Sequence, residues 1–405
     1  MTDYSQDSGA APRPLDGITV VSLEHAIAAP FCTRQLADLG ANVIKVERPG
    51  SGDFARGYDQ RVHGLSSHFV WTNRSKKSLT LDLKSDEAKP VMDALLESAD
   101  VLVQNLAPGA AARLGLSFDQ LHERYPRLII CNISGYGEGG PYQDKKAYDL
   151  LIQSEAGFLS TTGLPGPDGM AKAGCSIADI AAGMYAYTNV LSALIHRQTT
   201  GLGTSIDISM LESLVEWMGY PMYYAFEGAQ PPQRAGASHA TIYPYGPFMA
   251  GDNRSVMLGL QNEREWLSFC KTVLEQPELA DDERFNANYK RSENREVLRE
   301  LIHDAFKSLT SEDVIARLDK AKIANAHVND MQAVWKHPQL ESRQRWTLID
   351  SPSGKLPALA PPGVNNAYVP KMDAVPGLGQ HTEEILSGLG YSESDLKQFK
   401  RASII

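Results

Sequence analysis

Short apolar runs alternate with amphipathic stretches through the N-terminal third of the chain. Patterns typical of buried strands occur at Ile18–Leu23, Asn42–Glu47, Ser78–Leu83, Asp100–Asn105 and Arg127–Ser134. A helix is predicted over Pro30–Gly40, which starts with proline and ends with glycine, and another over Asp86–Ser98. This order predicts an α/β fold with a doubly wound, mostly parallel sheet, whose ligands bind at the carboxyl ends of the strands.

A longer helix is predicted over Ala178–Arg197, with Met184, Leu191 and Leu194 on its apolar face. Asp179 lies in its first turn. The helix dipole and the free N–H groups of that turn favour a carboxylate there. They are expected to hold it ionised, so that it can act as a nucleophile. The alternative interpretation is an aspartate that only caps the helix.

Composition narrows the class of protein. The chain has 405 residues, enough for two domains with a sizeable core. Its net charge of -10 argues against nucleic acid as a partner, and no apolar run is long enough for a membrane span. The polar, acidic residues 1–15 look like a disordered tail rather than a signal or transit peptide. The four cysteines lie far apart with no CxxC spacing, which predicts reduced thiols, no metal site and a cytoplasmic protein.

Common nucleotide and hydrolase motifs find little support. The turn after the first strand reads HAIAAP, where a dinucleotide-binding turn would carry GxGxxG. The one formal match, Gly135–Gly140, runs into Pro141 and a polar segment rather than a helix, so we interpret it as a turn. There is no P-loop, HExxH or GxSxG motif in the sequence.

Basic and polar residues follow several of the predicted strands. A single charge of this kind is usually only solvated. Because these residues lie at the same edge of the predicted sheet, together they could bind a ligand with several phosphates. The residues are Arg48, Asn73, Arg74, Lys76, Lys77, Asn105, Arg113, Lys145 and Lys146.

Longer motifs resemble those of the class III coenzyme A transferases, which include formyl-CoA:oxalate and carnitine CoA transferases and the α-methylacyl-CoA racemases. The similarity runs from PLDGITVVSLEHAIAAPFCTRQLADLGANVIKVERPGSGD to LGQHTEEIL, nearly the whole chain. Its most specific pieces are LGANVIKVERPGSGD, NRSKKSLTLDLK, VLVQNLAPGAAARLG, SGYGEGGPY and ADIAAGMYA.

The resemblance implies roles for individual residues. Asp179 falls on the family's catalytic aspartate, which forms acyl-anhydride and CoA-thioester intermediates. Ile27 stands where the formyl-CoA transferases carry glutamine. Tyr148 stands where the racemases carry a general-base histidine, which favours transfer over racemisation. The positions expected to line the CoA site are His25, Ala26, Ile27, Arg48, Lys76, Asn105, Leu106, Arg113, Lys146 and Tyr148.

The family fold implies a large Rossmann-like domain over residues 16–219 and a smaller α/β domain over residues 220–335. A C-terminal segment, residues 336–405, would return to the large domain through the proline-rich Leu356–Gly363. Tyr220–Gln233 would be the crossing into the small domain. In the family two such chains interlock like rings, so we expect an interlocked homodimer.

The expected substrates are an acyl-CoA and a carboxylic acid, with CoA as a substrate component and no permanently bound cofactor. Succinyl-CoA as donor and an itaconate- or mesaconate-like acid as acceptor fit best, and Arg234, His239, Tyr243 and Tyr245 could hold a distal carboxylate. Core tyrosines and a surface arginine are an equally good interpretation of those four residues. The alternatives are formyl-CoA:oxalate transfer, an acyl-CoA isomerase (racemase or intramolecular CoA shift) and a non-catalytic acyl-CoA-binding protein.

Overall fold

A computed structural model describes residues 11–405 of the chain. Among these residues no helix is both long and apolar enough to cross a membrane. The strands are β1 Thr19–Leu23, β2 Asn42–Glu47, β3 Lys76–Thr80, β4 Val101–Gln104, β5 Ile129–Ser134, β6 Ser205–Ser209, β7 Tyr245–Met249, β8 Ser255–Gly259, β9 Ala324–His327, β10 Trp346–Ile349 and β11 Leu356–Leu359.

The helices vary from single turns to one long element. They are α1 Ala28–Asp38, α2 Ser67–Asn73, α3 Ala88–Glu97, α4 Ala110–Arg113, α5 Phe118–His122, α6 Asp149–Glu155, α7 Phe158–Thr161, α8 Ile177–Thr200, α9 Met210–Trp217, α10 Gly219–Tyr224, α11 Glu263–Ser268, α12 Asn288–Glu293, α13 Arg295–Phe306, α14 Ser311–Ala321, α15 Met331–Trp335, α16 Pro338–Ser342, α17 Thr382–Gly388 and α18 Glu393–Arg401. The long element is α8, which contains the helix predicted over Ala178–Arg197.

Six parallel strands form the main sheet in the order β3-β2-β1-β4-β5-β6. The prediction of an α/β fold with a parallel sheet is confirmed, and this strand order is that of doubly wound dinucleotide-type folds. Strand β6 was not predicted. Its Ser205 and Asp207 face solvent, so it lacks the continuous apolar run by which the other strands were found.

The third strand begins two residues earlier than predicted, at Lys76 rather than Ser78. Lys76 pairs in register with Val43, and its side chain is buried. A lysine is rarely found inside a sheet unless it is paired, so its position hid the start of the strand.

The described chain divides into two compact units. One comprises the residues up to Ala156 together with Ala173–Met218 and Pro338–Ile405, and the other comprises Gly157–Lys172 and Gly219–His337. Residues 157–172 were expected in the large domain but cluster with the second unit. Of the tail expected over residues 1–15, the first ten lie outside the described residues. Leu15 is already packed, because it is buried and its N–H donates to Leu39 O at 3.0 Å.

In the first unit, α1 and α8 pack against each other beside the parallel sheet. The C-terminal segment covers the outer edge of β3. Without this cover, the unpaired backbone groups of that edge strand would be exposed. Ser75 N–H donates to Ala374 O at 2.9 Å, and Ser78 N–H donates to His381 Nδ1 at 3.1 Å. The C-terminal residues are therefore part of the sheet's edge.

The second unit has its own core. Strands β7, β8 and β9 form an antiparallel sheet, and helices α11, α13 and α14 supply buried side chains to the same apolar cluster. Trp266, Phe269 and Phe306 are fully buried at its centre.

Candidate active site

Asp179 lies in the first turn of α8, as predicted, but the free N–H groups of that turn serve another carboxylate. Asp149 Oδ1 accepts the N–H of Ala178 at 2.8 Å and the N–H of Asp179 itself at 3.3 Å. Ser176, at the N-cap position, makes no capping bond with its side chain. Asp149 therefore caps α8 from outside the helix, and Asp179 keeps its carboxylate for other partners.

The expectation that the helix terminus holds Asp179 ionised is wrong in direction. Burial, followed by the nearby negative charge of Asp149, raises the pKa of the partly buried Asp179 to about 7, although a hydrogen bond from the N–H of Ala28 opposes this shift. Burial and the negative charge of Asp53, then that of Asp179, likewise raise the pKa of Tyr58 to about 12. Near neutral pH, Asp179 is therefore divided between an acid and a reactive carboxylate.

The loop after β1 is held in place by two side chains from other strands or turns. Asn105 makes two hydrogen bonds to the backbone of His25, each 2.9 Å long. Asp53 Oδ1 accepts the N–H of Ala26 at 3.1 Å. Ala26 has a φ of 61°, a left-handed conformation that an alanine adopts only when its surroundings hold it there. The result is a fixed loop that leads directly to Ala28, whose backbone affects the pKa of Asp179.

A cluster of fully buried charges lies behind this loop. Lys45 Nζ is 2.8 Å from Asp53 Oδ2 and 3.3 Å from Glu24 Oε1, and Lys76 Nζ is 2.7 Å from the same Glu24 oxygen. Burial opposes ionisation of Asp53, yet the Lys45 ammonium keeps the pKa of this carboxyl below its ordinary value. Burial and the charge of Lys45 lower the pKa of Lys76 to about 8, against the opposing pull of Glu24. These ion pairs make the loop's support rigid, since breaking one leaves a buried charge unpaired.

Lys76 differs from the expectation that it binds CoA. Its side chain is not exposed, and its ammonium donates to Glu24 Oε1, to Pro30 O at 2.9 Å and to Asn73 Oδ1 at 3.0 Å. All three N–H bonds are therefore used within the protein, and Lys76 supports the site from below.

The other three expected cations, Arg48, Arg113 and Lys146, are exposed. Leu106 is partly buried, Tyr148 is 68% exposed at the start of α6, and the apolar Ile27 is buried at the start of α1. The ring of His25 stacks on Phe54 at 5.3 Å.

A cavity of about 720 Å³ opens on the first unit beside Leu106. Acidic side chains line part of it, namely those of Asp119, Glu138, Asp144 and Asp207. Neither Asp179 nor the exposed cations Arg113 and Lys146 belong to its lining. An acidic wall repels a polyphosphate, so this cavity is poorly suited to the phosphates of CoA.

The four expected substrate residues lie in the second unit, and two of them have structural tasks there. Arg234 donates from Nε to Leu164 O at 3.0 Å and from its terminal nitrogen to Gly166 O. Tyr243 is only 4% exposed and packs in the core of that unit, so it does not present its hydroxyl to solvent. This matches the interpretation of Tyr243 as a core tyrosine.

His239 and Tyr245 are partly buried, and their rings stack at 5.4 Å. His239 Nδ1 accepts the N–H groups of Thr241 at 3.2 Å and Ile242 at 3.1 Å. The hydrogen of the neutral ring is therefore on Nε2, which leaves Nε2 as a donor.

Sequence reasoning missed several residues that shape the surroundings of Asp179. Asp149 and Gln153 come shortly after Lys146 and Tyr148 in the sequence, and their spacing of four residues is the signal that both face one side of a helix. Glu24, Lys45 and Asp53 gave no such signal, because a charge inside a strand or turn looks like any surface charge until the fold buries it. No group of three or more His, Cys, Asp or Glu side chains within residues 11–405 is arranged to hold a metal ion.

Comparisons with known proteins agree with the motifs. The family model for CoA-transferase family III matches residues 15–382. The chain is 30% identical to the human succinyl-CoA:glutarate CoA-transferase over 398 residues, covering 97% of this chain and 90% of the relative. It is 33% identical to the succinyl-CoA:mesaconate CoA-transferase of Haloarcula hispanica over 351 residues, covering 84% of this chain and 86% of the relative.

A solved CaiB/BaiF family protein from Brucella suis superimposes with a TM-score of 0.83 at 32% identity, covering 93% of this chain and all of that one. The matched family model and these full-length relatives show that the chain is an enzyme and belongs to CoA-transferase family III.

Proposed function

We propose that this enzyme transfers CoA from succinyl-CoA to another short dicarboxylic acid, with Asp179 as the nucleophile. The observation that carries the proposal is the setting of Asp179. Its carboxylate is partly buried, makes no bond to the N–H groups of the first turn because Asp149 accepts them, and has a pKa near neutrality. A carboxylate with few competing partners is a better nucleophile than one tied up in capping its helix.

Transfer begins when an Asp179 oxygen attacks the thioester carbonyl of the donor and expels CoA thiolate, which gives a mixed anhydride. The thiolate attacks the aspartyl carbonyl, which releases the donor acid and leaves an aspartyl-CoA thioester. A carboxylate oxygen of the acceptor displaces the thiolate from this thioester, giving a second anhydride. The thiolate then attacks the acceptor's carbonyl, so the acceptor leaves as its CoA thioester and Asp179 is free again.

We assign the Ala28 N–H a role in these steps, because the backbone of Ala28 is near enough to Asp179 to oppose the rise in its pKa. Negative charge develops on the aspartyl carbonyl oxygen whenever thiolate or acceptor attacks that carbon. A fixed backbone donor beside this oxygen stabilises the charge without reorganisation. Ala26 N–H donates to Asp53, and Asn105 exchanges two hydrogen bonds with the backbone of His25, which keeps the loop before Ala28 in place.

The dicarboxylate substrates rest on the relatives. Those named above act, by their names, on succinyl-CoA with glutarate or with mesaconate. Formyl-CoA:oxalate transfer is the second candidate, because an enzyme of that name from Shigella sonnei is 29% identical over 419 residues. A panel of acids offered with succinyl-CoA, and read by mass spectrometry for new CoA esters, tests the choice. A clear preference for oxalate with formyl-CoA would overturn the dicarboxylate assignment.

Isotope transfer tests the covalent route. An acceptor labelled with ¹⁸O on its carboxylate leaves one labelled oxygen on Asp179 in each turnover. Donor acids of later turnovers carry this label away whenever the labelled oxygen is the one that attacks the thioester. Asp179→Ala should abolish transfer and labelling while leaving CoA affinity unchanged. The exposed Asp86, changed to alanine, is the matched control and should behave like wild type. Donor acid that stays unlabelled over many turnovers contradicts the aspartyl route.

We also propose that the enzyme is an interlocked homodimer. In support, the segment expected to cross to the small domain has a dense group of exposed large apolar side chains, which a second chain would cover. They are Tyr220, Met222, Tyr223, Tyr224 and Phe226. Light scattering should give twice the chain mass at the lowest measurable concentration, and differently tagged preparations should not exchange subunits without denaturant. A monomer at that concentration would refute the model.

A further inference from the structure

Asp149 does more than cap α8, because its second oxygen is held by a buried glutamine. Gln153 lies four residues further along α6 and is fully buried. Its Nε2 donates to Asp149 Oδ2 at 2.6 Å, and its Oε1 accepts the N–H of Ala173 at 2.9 Å. Asp149 Oδ1 binds the N–H groups of Ala178 and Asp179. One pair of side chains thus connects α6 to both ends of the segment Ala173–Asp179.

The chemistry of the partners determines the orientation of the Gln153 amide. A carboxylate only accepts and a backbone N–H only donates, so Oε1 must face Ala173 and the amide nitrogen must face Asp149. The reversed amide would place donor against donor and acceptor against acceptor at two buried contacts, each with an unmet hydrogen bond. The hydrogen bonds therefore require a carboxylate at position 149 and an amide at position 153 in this one orientation.

We propose that Asp149 and Gln153 form a clamp that positions Asp179 for attack. The clamp fixes the loop before α8 and the first turn of the helix together, so the backbone that carries the Asp179 carboxylate stays in one position. Asp149 and Gln153 are positioning residues, since they act through the backbone that carries Asp179. The effect on turnover rests on the proposed role of Asp179 as the nucleophile.

A simple helix cap makes a different prediction. Capping requires only the bonds that Asp149 Oδ1 accepts from the N–H groups of Ala178 and Asp179, and an asparagine oxygen can accept them too. In a clamp, Asp149→Asn sets its amide nitrogen against the Gln153 nitrogen, and Gln153→Glu sets two carboxylates against each other. In the double variant Asp149→Asn/Gln153→Glu, every donor again faces an acceptor. The amide of the new asparagine donates to the new glutamate, whose second oxygen accepts the N–H of Ala173.

The experiment is this four-member cycle, assayed with succinyl-CoA and the best acceptor. Each single variant should lower kcat at least about tenfold with little change in KM for the acyl-CoA, because misplacing a nucleophile harms the chemical step. The double variant should recover most of the loss. Gln153→Met, which is similar in size and introduces no charge, should lower kcat like the other single changes.

Hydrogen exchange of the peptide covering residues 173–184 provides a readout that needs no activity. The single variants should exchange faster in this peptide than wild type, and the double variant should regain protection. Effects on kcat that multiply in the double variant, or unchanged exchange in all variants, would overturn the clamp. If wild type shows no transfer but exchange follows the cycle, the clamp stands and the proposed function fails.

Discussion

Lys76 Nζ lies 2.7 Å from Glu24 Oε1, and neither side chain is exposed to solvent. The pair lies within the first unit, under the loop that leads to Ala28, and Lys45 shares the same Glu24 oxygen. The Glu24 carboxylate is therefore stabilised by two ammonium groups. Loss of either one leaves buried negative charge that is not fully compensated.

Lys76→Met should therefore lower the stability of the fold and have little direct effect on the affinity for CoA. Removing one partner of a buried ion pair costs about 3–5 kcal/mol, and the free energy of unfolding in urea should fall by about this amount. Lys77→Met is the matched control. Lys77 pairs with Glu384 at the surface, so its loss should cost no more than about 1 kcal/mol.

The double variant Glu24→Gln/Lys76→Met tests the cause. If the imbalance is responsible, removing the negative charge as well should restore part of the lost stability. A Lys76→Met protein that unfolds like wild type but binds acyl-CoA weakly would instead return Lys76 to the CoA site.

The exposed cations should serve the CoA moiety, which every donor shares. Arg48→Ala, Arg113→Ala and Lys146→Ala should each raise KM for all acyl-CoAs about tenfold to a hundredfold, the value of a charge-assisted hydrogen bond. The exposed Lys355→Ala is the control. Repeating the measurement with dephospho-CoA thioesters, which lack the 3′-phosphate, shows which cation binds that phosphate. The variant that lacks this cation should then have the same KM as wild type. A rise in KM limited to one acyl group would place the residue near the acyl chain instead.

The rate should follow the ionisation of Asp179. Only the carboxylate attacks a thioester, so kcat/KM for the donor should rise with pH through about 7, the pKa to which burial and then Asp149 raise this residue. Tyr58, whose own pKa the charge of Asp179 helps to raise, stays protonated across this range, since its pKa is about 12. Asp149→Asn removes a neighbouring negative charge and should move the rise to lower pH, despite its lower kcat.

Asp86→Asn, at an exposed position, should leave the pH profile where it is. A rise that Asp149→Asn does not move would show that another group controls the rate. A profile that is flat between about pH 5 and 9 would mean that Asp179 is ionised throughout.

The sequence predicted the sheet well because most of its strands are buried apolar runs, and it located Asp179 because that residue begins the longest amphipathic helix. It could not predict the direction of the pKa shift. A helix N-terminus lowers the pKa of a carboxyl group, and only the fold shows that Asp149 takes the N–H groups and that burial outweighs the rest. Lys76 was misread for a related reason, since a basic motif gives the charge of a residue but not its burial.

The raised pKa of Asp179 also predicts a cost in stability that depends on pH. The native state holds this proton up to about pH 7, whereas the unfolded chain releases it near the ordinary value of 3.8. Between these values the unfolded state binds fewer protons, so the contribution of Asp179 to stability falls as the pH rises and is lowest above about 7.

Asp179→Asn removes the ionisation, and it should raise the free energy of unfolding by about 1–3 kcal/mol at pH 8, allowing for partial solvent screening. At about pH 4 the gain should fall to less than about 1 kcal/mol, because the native state is then neutral and the unfolded chain is only partly ionised. Urea titrations at the two pH values, with Asp86→Asn as control, measure the difference. An equal gain at both would assign it to packing, and a loss at pH 8 would mean that the charged carboxylate stabilises the fold.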